Sequence, residues 1–150
     1  MRLLLFLSIV LASISSFGKT SLHELFLIAD KDKSAATELL SSTEKNKQQS
    51  NVWMAYYGVA KMMMANHVLN PYKKYAYFKE GKDILEQCIT REKENTELRF
   101  LRYSIQLYAP GFLGYNSNLN SDREFIQQNI QKIANTELRQ TIISLLSKHK

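Results

Sequence analysis

The 150-residue sequence has a single cysteine, Cys88, so an intramolecular disulfide bond is excluded and packing must supply the stability. Glycine and proline are also scarce, with five and two residues respectively. An all-β protein that turns its chain many times needs more of both, so helices are expected instead. Cys88 itself falls on an apolar helical stripe with Leu85 and Ile89, and we predict a buried, unreactive thiol.

Signatures of enzymes and metal sites are missing as well. No Gly-x-Ser-x-Gly elbow, Gly-rich phosphate loop, His-Glu-x-x-His motif or Cys-x-x-Cys motif occurs in the sequence. Met63 and His67, four residues apart, have the spacing of soft ligands for copper(I), although methionines on a helix are more typical of core packing. The sequence therefore predicts a protein with no enzyme activity, no cofactor and no metal.

Composition is that of an ordinary globular domain, with 45% apolar and 23% charged residues, and the length suits one domain. The formal net charge is +6. Nothing resembles a nucleic-acid recognition motif with interleaved aromatic residues, so nucleic acid is not an expected partner. The basic surplus either serves solubility or attracts an anionic membrane surface, an acidic glycan or an acidic protein.

The first 18 residues read as a secretory signal peptide. An apolar run over residues 3–12 follows a basic residue. The small residues Ser16 and Gly18 indicate cleavage after Gly18. The run is shorter than the roughly 20 residues that a helix needs to cross a bilayer. We therefore expect residues 1–18 to be removed and residues 19–150 to form a single helical domain that is periplasmic or secreted, without stable membrane insertion.

Apolar residues of the mature chain recur at three- and four-residue steps, which predicts six or seven antiparallel helices. Ser21 and Ser121 each open a Ser-x-x-Glu capping box, and residues 109–120 read as a long loop. The predicted helix starts are Ser21, Ala35, Asn51, Pro71, Asn95, Ser121 and Asn135, with the third helix running to Asn70. We predict an all-α fold, either an array of helical hairpins or a bundle.

A pentapeptide, Asn-Thr-Glu-Leu-Arg, occurs at residues 95–99 and again at residues 135–139. Each copy opens a predicted helix. The spacing is within the range of two-helix repeats, but a shared way of capping a helix explains the echo equally well.

Two stretches resemble known proteins. The pattern Trp53-x-x-Tyr56-x-Gly58-x-Ala60, followed by a helix with Tyr75, Phe78 and Gly81, resembles the tetratricopeptide repeat, with Gly58 displaced by one position. Residues 51–130 resemble small uncharacterised exported helical proteins of Gram-negative bacteria. The residues behind this second resemblance are Arg99-Phe100-Leu101-Arg102, Pro110, Phe112-Leu113-Gly114-Tyr115, Asn118 and Asp122. It implies a fold and a compartment, and it implies no activity.

Two arginines form the most distinctive candidate site. Arg99 and Arg102 lie three residues apart on one helical face. The loop beyond them supplies the polar side chains of Tyr115, Asn116 and Asn118. Functionally, the two guanidinium groups could receive a carboxylate, a phosphate or an acidic peptide. Structurally, they could instead pair with Glu97 or Asp122 and fix the loop to the helices.

We predict a non-catalytic binding or scaffold module that recognises a peptide or protein partner in the cell envelope. Its expected groove is rimmed by Arg99 and Arg102. The aromatic residues expected to line the groove are Trp53, Tyr56, Tyr57 and Tyr75. Two alternatives stay open: a carrier that holds a small apolar ligand or lipid between Met- and Tyr-rich helices, and a hydrolase whose acidic or His groups converge only in three dimensions.

Overall fold

The structure is a computed structural model that describes residues 21–149, and the predicted signal peptide at residues 1–18 lies outside the described residues. The described residues form seven α-helices and three short 3₁₀ helices, with no β-strand among them. The α-helices are α1 Leu22–Ile28, α2 Lys33–Asn46, α3 Asn51–Met64, α4 Pro71–Arg91, α5 Thr96–Tyr108, α6 Leu119–Asn129 and α7 Thr136–Lys148. The prediction of an all-α fold is confirmed.

Side-chain caps open most of the helices. At α1 the Ser21 hydroxyl accepts from the backbone amide of Glu24, whose carboxylate accepts from the Ser21 amide, so the predicted capping box is confirmed. Asn95 and Asn135 accept backbone amides at the starts of α5 and α7, the two helices that carry the repeated pentapeptide. Asp32, Ser50 and Asn70 cap α2, α3 and α4 in the same way.

The predicted end of the third helix is wrong. Helix α3 stops at Met64, and a 3₁₀ turn over Ala65–His67 leads into extended backbone at Val68. The imidazole Nε2 of His67 lies 2.7 Å from the carbonyl oxygen of Ala29, beyond the end of α1. This tertiary hydrogen bond stabilises the turn, and it cannot be predicted from the residues adjacent to His67.

The predicted start of the sixth helix is also wrong. Helix α6 begins at Leu119, and the amide of Asp122 already bonds to the carbonyl of Asn118 at 2.8 Å. The Ser121 hydroxyl donates to that same carbonyl instead of capping the helix. At its other end α6 gives way to a 3₁₀ turn over Ile130–Lys132.

Helix α3 lies at the centre of the molecule and contacts α2, α4 and α5. Its Tyr56 meets Phe26 of α1 edge to face, and Phe26 meets Phe100 of α5 in the same way, with ring centroids 6.1 and 5.9 Å apart. Cys88 is fully buried as predicted, and burial raises the pKa of its thiol. One continuous core joins all seven α-helices of the described residues.

Two glycines set the distance between α3 and α4. A Cβ added to Gly58 would lie 2.7 Å from the carbonyl oxygen of Gly81. A Cβ added to Gly81 would collide with the carbonyl oxygen of Gly58 and lie 2.9 Å from the backbone nitrogen of Met62. The helices therefore cross backbone to backbone, at the two glycines that carry the resemblance to the tetratricopeptide repeat.

At its N-terminal end, helix α4 extends beyond the neighbouring helix α3. It has 21 residues against 14 in α3, and it continues for almost three turns from Gly81 back to its start, while α3 ends within two turns of Gly58. All residues from Leu69 to Ala76 are exposed. The first turns of α4 thus project from the body of the protein.

Helix α7 is held at both ends by polar side chains. Near its start, Glu137 places a carboxylate oxygen 3.3 Å from Nε2 of the buried His23. Near its end, the guanidinium of Arg123 on α6 donates to the carbonyls of Leu146 and His149. Between these contacts Leu138, Ile142 and Leu146 are buried, so α7 packs along one face.

Candidate functional site

The two predicted arginines converge on one carboxylate. Arg102 donates from Nε and Nη2 to the two oxygens of Asp122 at 2.6 and 2.8 Å, and Arg99 donates from Nη1 to Oδ1 at 2.6 Å. Asp122 has no exposed surface and Arg102 is 5% exposed. This is the fork geometry in which arginine recognises carboxylates, with the carboxylate supplied by the chain itself.

Glu86 and Tyr115 complete this buried network. Arg102 donates from Nη1 to Glu86 at 2.8 Å, and the Tyr115 hydroxyl donates to the other Glu86 oxygen at 2.6 Å. Burial alone would lower the pKa of Arg102, but Asp122 and Glu86 raise it overall. Burial, reinforced by Glu86, raises the pKa of Tyr115, so its hydroxyl stays a neutral donor. The two arginines and the two carboxylates balance in charge, with Arg102 and Asp122 buried and the side chains of Arg99 and Glu86 20% and 34% exposed.

The loop after α5 is tied to the helices by its polar side chains. The backbone N–H of Asn118 donates to the side-chain oxygen of the buried Gln106 at 3.1 Å, and the Asn118 side-chain oxygen accepts from the Gln106 side-chain nitrogen at 3.2 Å. Tyr115 is buried, whereas Asn116 is exposed. Of the two alternatives that the sequence left open, the geometry is that of arginines paired with Asp122 and a loop fixed to the helices.

The four aromatic residues predicted to line a groove do not share one open surface. Tyr56 is 1% exposed, and its hydroxyl donates to Glu97 at 2.9 Å within the core. Tyr57 is buried too, with the ammonium groups of Lys47 and Lys61 over its ring. Trp53 is half-buried on α3, and Tyr75 is 59% exposed on α4. Because α3 is covered on several sides, consecutive ring positions along it face different neighbours.

The Tyr56–Glu97 pair predicts a pH-dependent stability. Burial raises the pKa of Glu97 above 4.5, against the opposing effects of the Tyr56 hydrogen bond and of His23. Because the folded state holds this proton more tightly than the unfolded chain, the contribution of Glu97 is full below the unfolded pKa and is lost as the pH rises through the folded pKa. We expect Glu97→Gln to gain stability relative to wild type between about pH 4 and pH 7, measured by urea unfolding. Exposed Glu94→Gln is the control, and a relative loss for Glu97→Gln would contradict the assignment.

The projecting start of α4 carries an exposed surface. Tyr75 is the predicted site residue that belongs to it. We call this surface the Tyr–Lys face: it comprises Leu69 and the four consecutive residues Tyr72, Lys73, Lys74 and Tyr75, which encircle the exposed start of α4. Leu69 is 101% exposed, Tyr72 85% and Tyr75 59%. Asn70 accepts the amides of Tyr72 and Lys73, so the side chains project from a capped helix.

Charge around the Tyr–Lys face has one sign. No Asp or Glu occurs between Glu44 and Glu80, and all charged residues in that interval are lysines. Lys61 and Lys79 form salt bridges with Glu80 and Asp83, whereas neither Lys73 nor Lys74 forms one with any residue from 21 to 149. This carboxylate-free interval is the sequence signal that would have indicated the face.

Open depressions occur at two other places. One of about 470 Å³ lies along α4 beside the buried network, and one of about 300 Å³ lies between α6 and α7. The first is lined by Asp83, Glu86, Gln87, Thr90 and Arg91, and the second by Arg123, Gln127, Ile130, Ile143, Leu146 and Ser147. Neither lining contains His67, which faces the Ala29 carbonyl instead of a carboxylate. The hydrolase alternative therefore gains no support from these depressions.

Comparisons of the chain with protein-family models, with curated proteins and with solved structures gave no match. Within residues 21–149, no helix combines the length and the hydropathy that crossing a membrane requires. The same residues contain no group of three or more His, Cys, Asp or Glu side chains arranged to hold a metal ion. The Tyr–Lys face and the buried arginine network are thus the two features on which a function can be built.

Proposed function

We propose that this chain is a non-catalytic helical binding module of the cell envelope, and that it attaches to an anionic partner through the Tyr–Lys face. One observation carries the proposal. Three large side chains, Leu69, Tyr72 and Tyr75, are exposed to solvent near Lys73 and Lys74, which form no salt bridge within residues 21–149. The binding role predicted from the sequence is kept, and the binding surface moves from the arginines to α4.

Exposed side chains of this kind are suited to recognition. Contiguous apolar surface on a soluble protein commonly marks an interaction site, whereas single exposed residues need no explanation. Tyrosine combines an apolar ring with a polar hydroxyl and is favoured where one side of an interface is wet. The two lysines add a local positive potential that attracts negatively charged partners and opposes positively charged ones.

The arginine network is a weaker candidate for the binding surface. A carboxylate or phosphate arriving at Arg99 and Arg102 would have to displace Asp122, which already satisfies both guanidinium groups. The displaced carboxylate would then stay buried without its partners, which is strongly unfavourable. The network is better suited to fixing α6 and the preceding loop against α4 and α5.

Sedimentation with membranes tests the proposal. The purified protein, with its N-terminus established by mass spectrometry, is pelleted with an envelope fraction from a Gram-negative bacterium. We expect Tyr72→Ser/Tyr75→Ser to reduce the apparent affinity about tenfold, because both rings lose buried contact area. Tyr108→Ser, which removes a ring that is 67% exposed on α5, is the matched control and should bind like wild type.

Circular dichroism confirms that each variant is folded before binding is compared. Equal pelleting of wild type and the Tyr72/Tyr75 double variant would refute the Tyr–Lys face as the binding surface. Loss of binding in the Tyr108 control alone would move the surface to the end of α5 that carries Tyr108.

A further inference from the structure

We propose that the anionic partner is the surface of a lipid bilayer that contains anionic phospholipids, on which the Tyr–Lys face docks peripherally. This inference rests on the function proposed above, because it identifies the partner of the same surface. It is carried by three properties of the face: its size, its order of side chains and its charge.

The Tyr–Lys face is small for a protein interface. Large side chains bury on the order of 150–250 Å² each, so Leu69, Tyr72 and Tyr75 together offer roughly 500 Å². A stable protein–protein interface buries about 800 Å² on each partner. A bilayer surface requires no complementary shape and is satisfied by a few side chains that enter it. The available area therefore favours a membrane over a protein.

The order of side chains suits the layers of a membrane surface. Leu69 lies one residue before the N-cap Asn70 and is the most exposed of the three large side chains. Tyr72 and Tyr75, three residues apart, share one helical face behind it. With the start of α4 directed at the membrane, Leu69 reaches the acyl chains and the tyrosine rings lie among the headgroups, the depth at which aromatic residues are enriched.

The charge of the face matches phosphate headgroups. Lys73 and Lys74 lie between the two tyrosines in sequence, on the other side of the helical turn, and have no salt-bridge partner within residues 21–149. The carboxylates nearest to them in sequence on α4 are Glu80 and Asp83, which pair with Lys61 and Lys79 and so present little net repulsion. Each free lysine near an anionic leaflet adds to the attraction, and salt screens it.

Co-sedimentation with protein-free vesicles tests the inference. One set contains phosphatidylglycerol and phosphatidylcholine in equal amounts, and the other contains phosphatidylcholine alone. We expect binding only to the first set, weakened by added sodium chloride. Lys73→Gln/Lys74→Gln should reduce the apparent affinity roughly 10- to 30-fold.

A matched control separates position from net charge. Lys31→Gln/Lys33→Gln removes the same charge from two exposed lysines at the start of α2, and we expect it to bind like wild type. If both double variants lose binding equally, attraction depends on net charge and the inference is overturned. If the protein pellets with envelope membranes through Tyr72 and Tyr75 but ignores both vesicle sets, the partner is a protein, so the inference fails and the proposed function stands.

Discussion

Replacing Asp122 with alanine should lower the free energy of unfolding by about 3–5 kcal/mol. Asp122 is fully buried and accepts three hydrogen bonds from Arg99 and Arg102. Without it, the guanidinium of Arg102 stays buried with Glu86 as its only charged partner, and its desolvation is no longer compensated. The expected loss is therefore much larger than the 0–1 kcal/mol typical of a surface salt bridge.

Urea unfolding at neutral pH, followed by circular dichroism, measures this loss. Asp122→Asn keeps the shape of the side chain and removes its charge, so it should also destabilise, by a smaller amount because its oxygen still accepts a hydrogen bond. Exposed Glu124→Ala on the same helix is the control and should change stability by less than about 0.5 kcal/mol. If Asp122→Ala behaved like that control, the arginines would have to be solvated and the network would not be structural.

Substituting Gly81 with alanine should destabilise the protein by about 1–3 kcal/mol. In an unhindered helix the same change would be favourable by about 1 kcal/mol. Here the new methyl group meets the carbonyl oxygen of Gly58 and the backbone nitrogen of Met62, neither of which moves without shifting α3. The two helices would therefore separate along their interface, and part of the core packing around Leu85 would be lost.

Thermal and urea unfolding of Gly81→Ala measure this effect, and Gly111→Ala provides its control. A Cβ on Gly111 meets no atom within 4 Å, so that variant should unfold within about 0.5 kcal/mol of wild type. A Gly81→Ala protein more stable than wild type would mean that helix propensity outweighs crowding and that the two backbones are not in close contact.

The crossing at Gly58 and Gly81 also bears on binding. The Tyr–Lys face projects because α4 continues past the end of α3 from that crossing. Separation of the helices would change how far the face stands out from the body. A Gly81→Ala variant that remains folded is therefore expected to bind membranes less well than the Gly111→Ala control.

Helix positions could be predicted from the sequence because their signals are local. The Ser21 capping box, the asparagine caps of α5 and α7 and the apolar spacing within each helix all act over a few residues. The two wrong boundaries, at Met64 and Leu119, lie where a distant group intervenes. Near Met64, the imidazole of His67 bonds to the carbonyl of Ala29. Near Leu119, the buried Asp122 accepts a hydrogen bond from Arg102 on α5.

The candidate site was predictable only in part, for a related reason. Arg99 and Arg102 were recognised by their spacing, and pairing with Asp122 was one of two open alternatives. Glu86, the other carboxylate of the network, comes from α4 and has no sequence pattern that links it to an arginine on α5. Tyr56 and Tyr75 both read as ring positions of amphipathic helices, yet one is in the core and the other in solvent.

Caps and apolar spacing depend on neighbours along the chain, so the amino-acid sequence alone indicates that this protein is built from helices and where most of them start. It also contained the carboxylate-free interval from residue 45 to residue 79, a property of composition alone. Tertiary contacts determine which charges are paired within the fold and which face solvent. Burial and pairing depend on residues far apart in the chain: Arg99 and Arg102 pair with Asp122, whereas Lys73 and Lys74 form no salt bridge within residues 21–149.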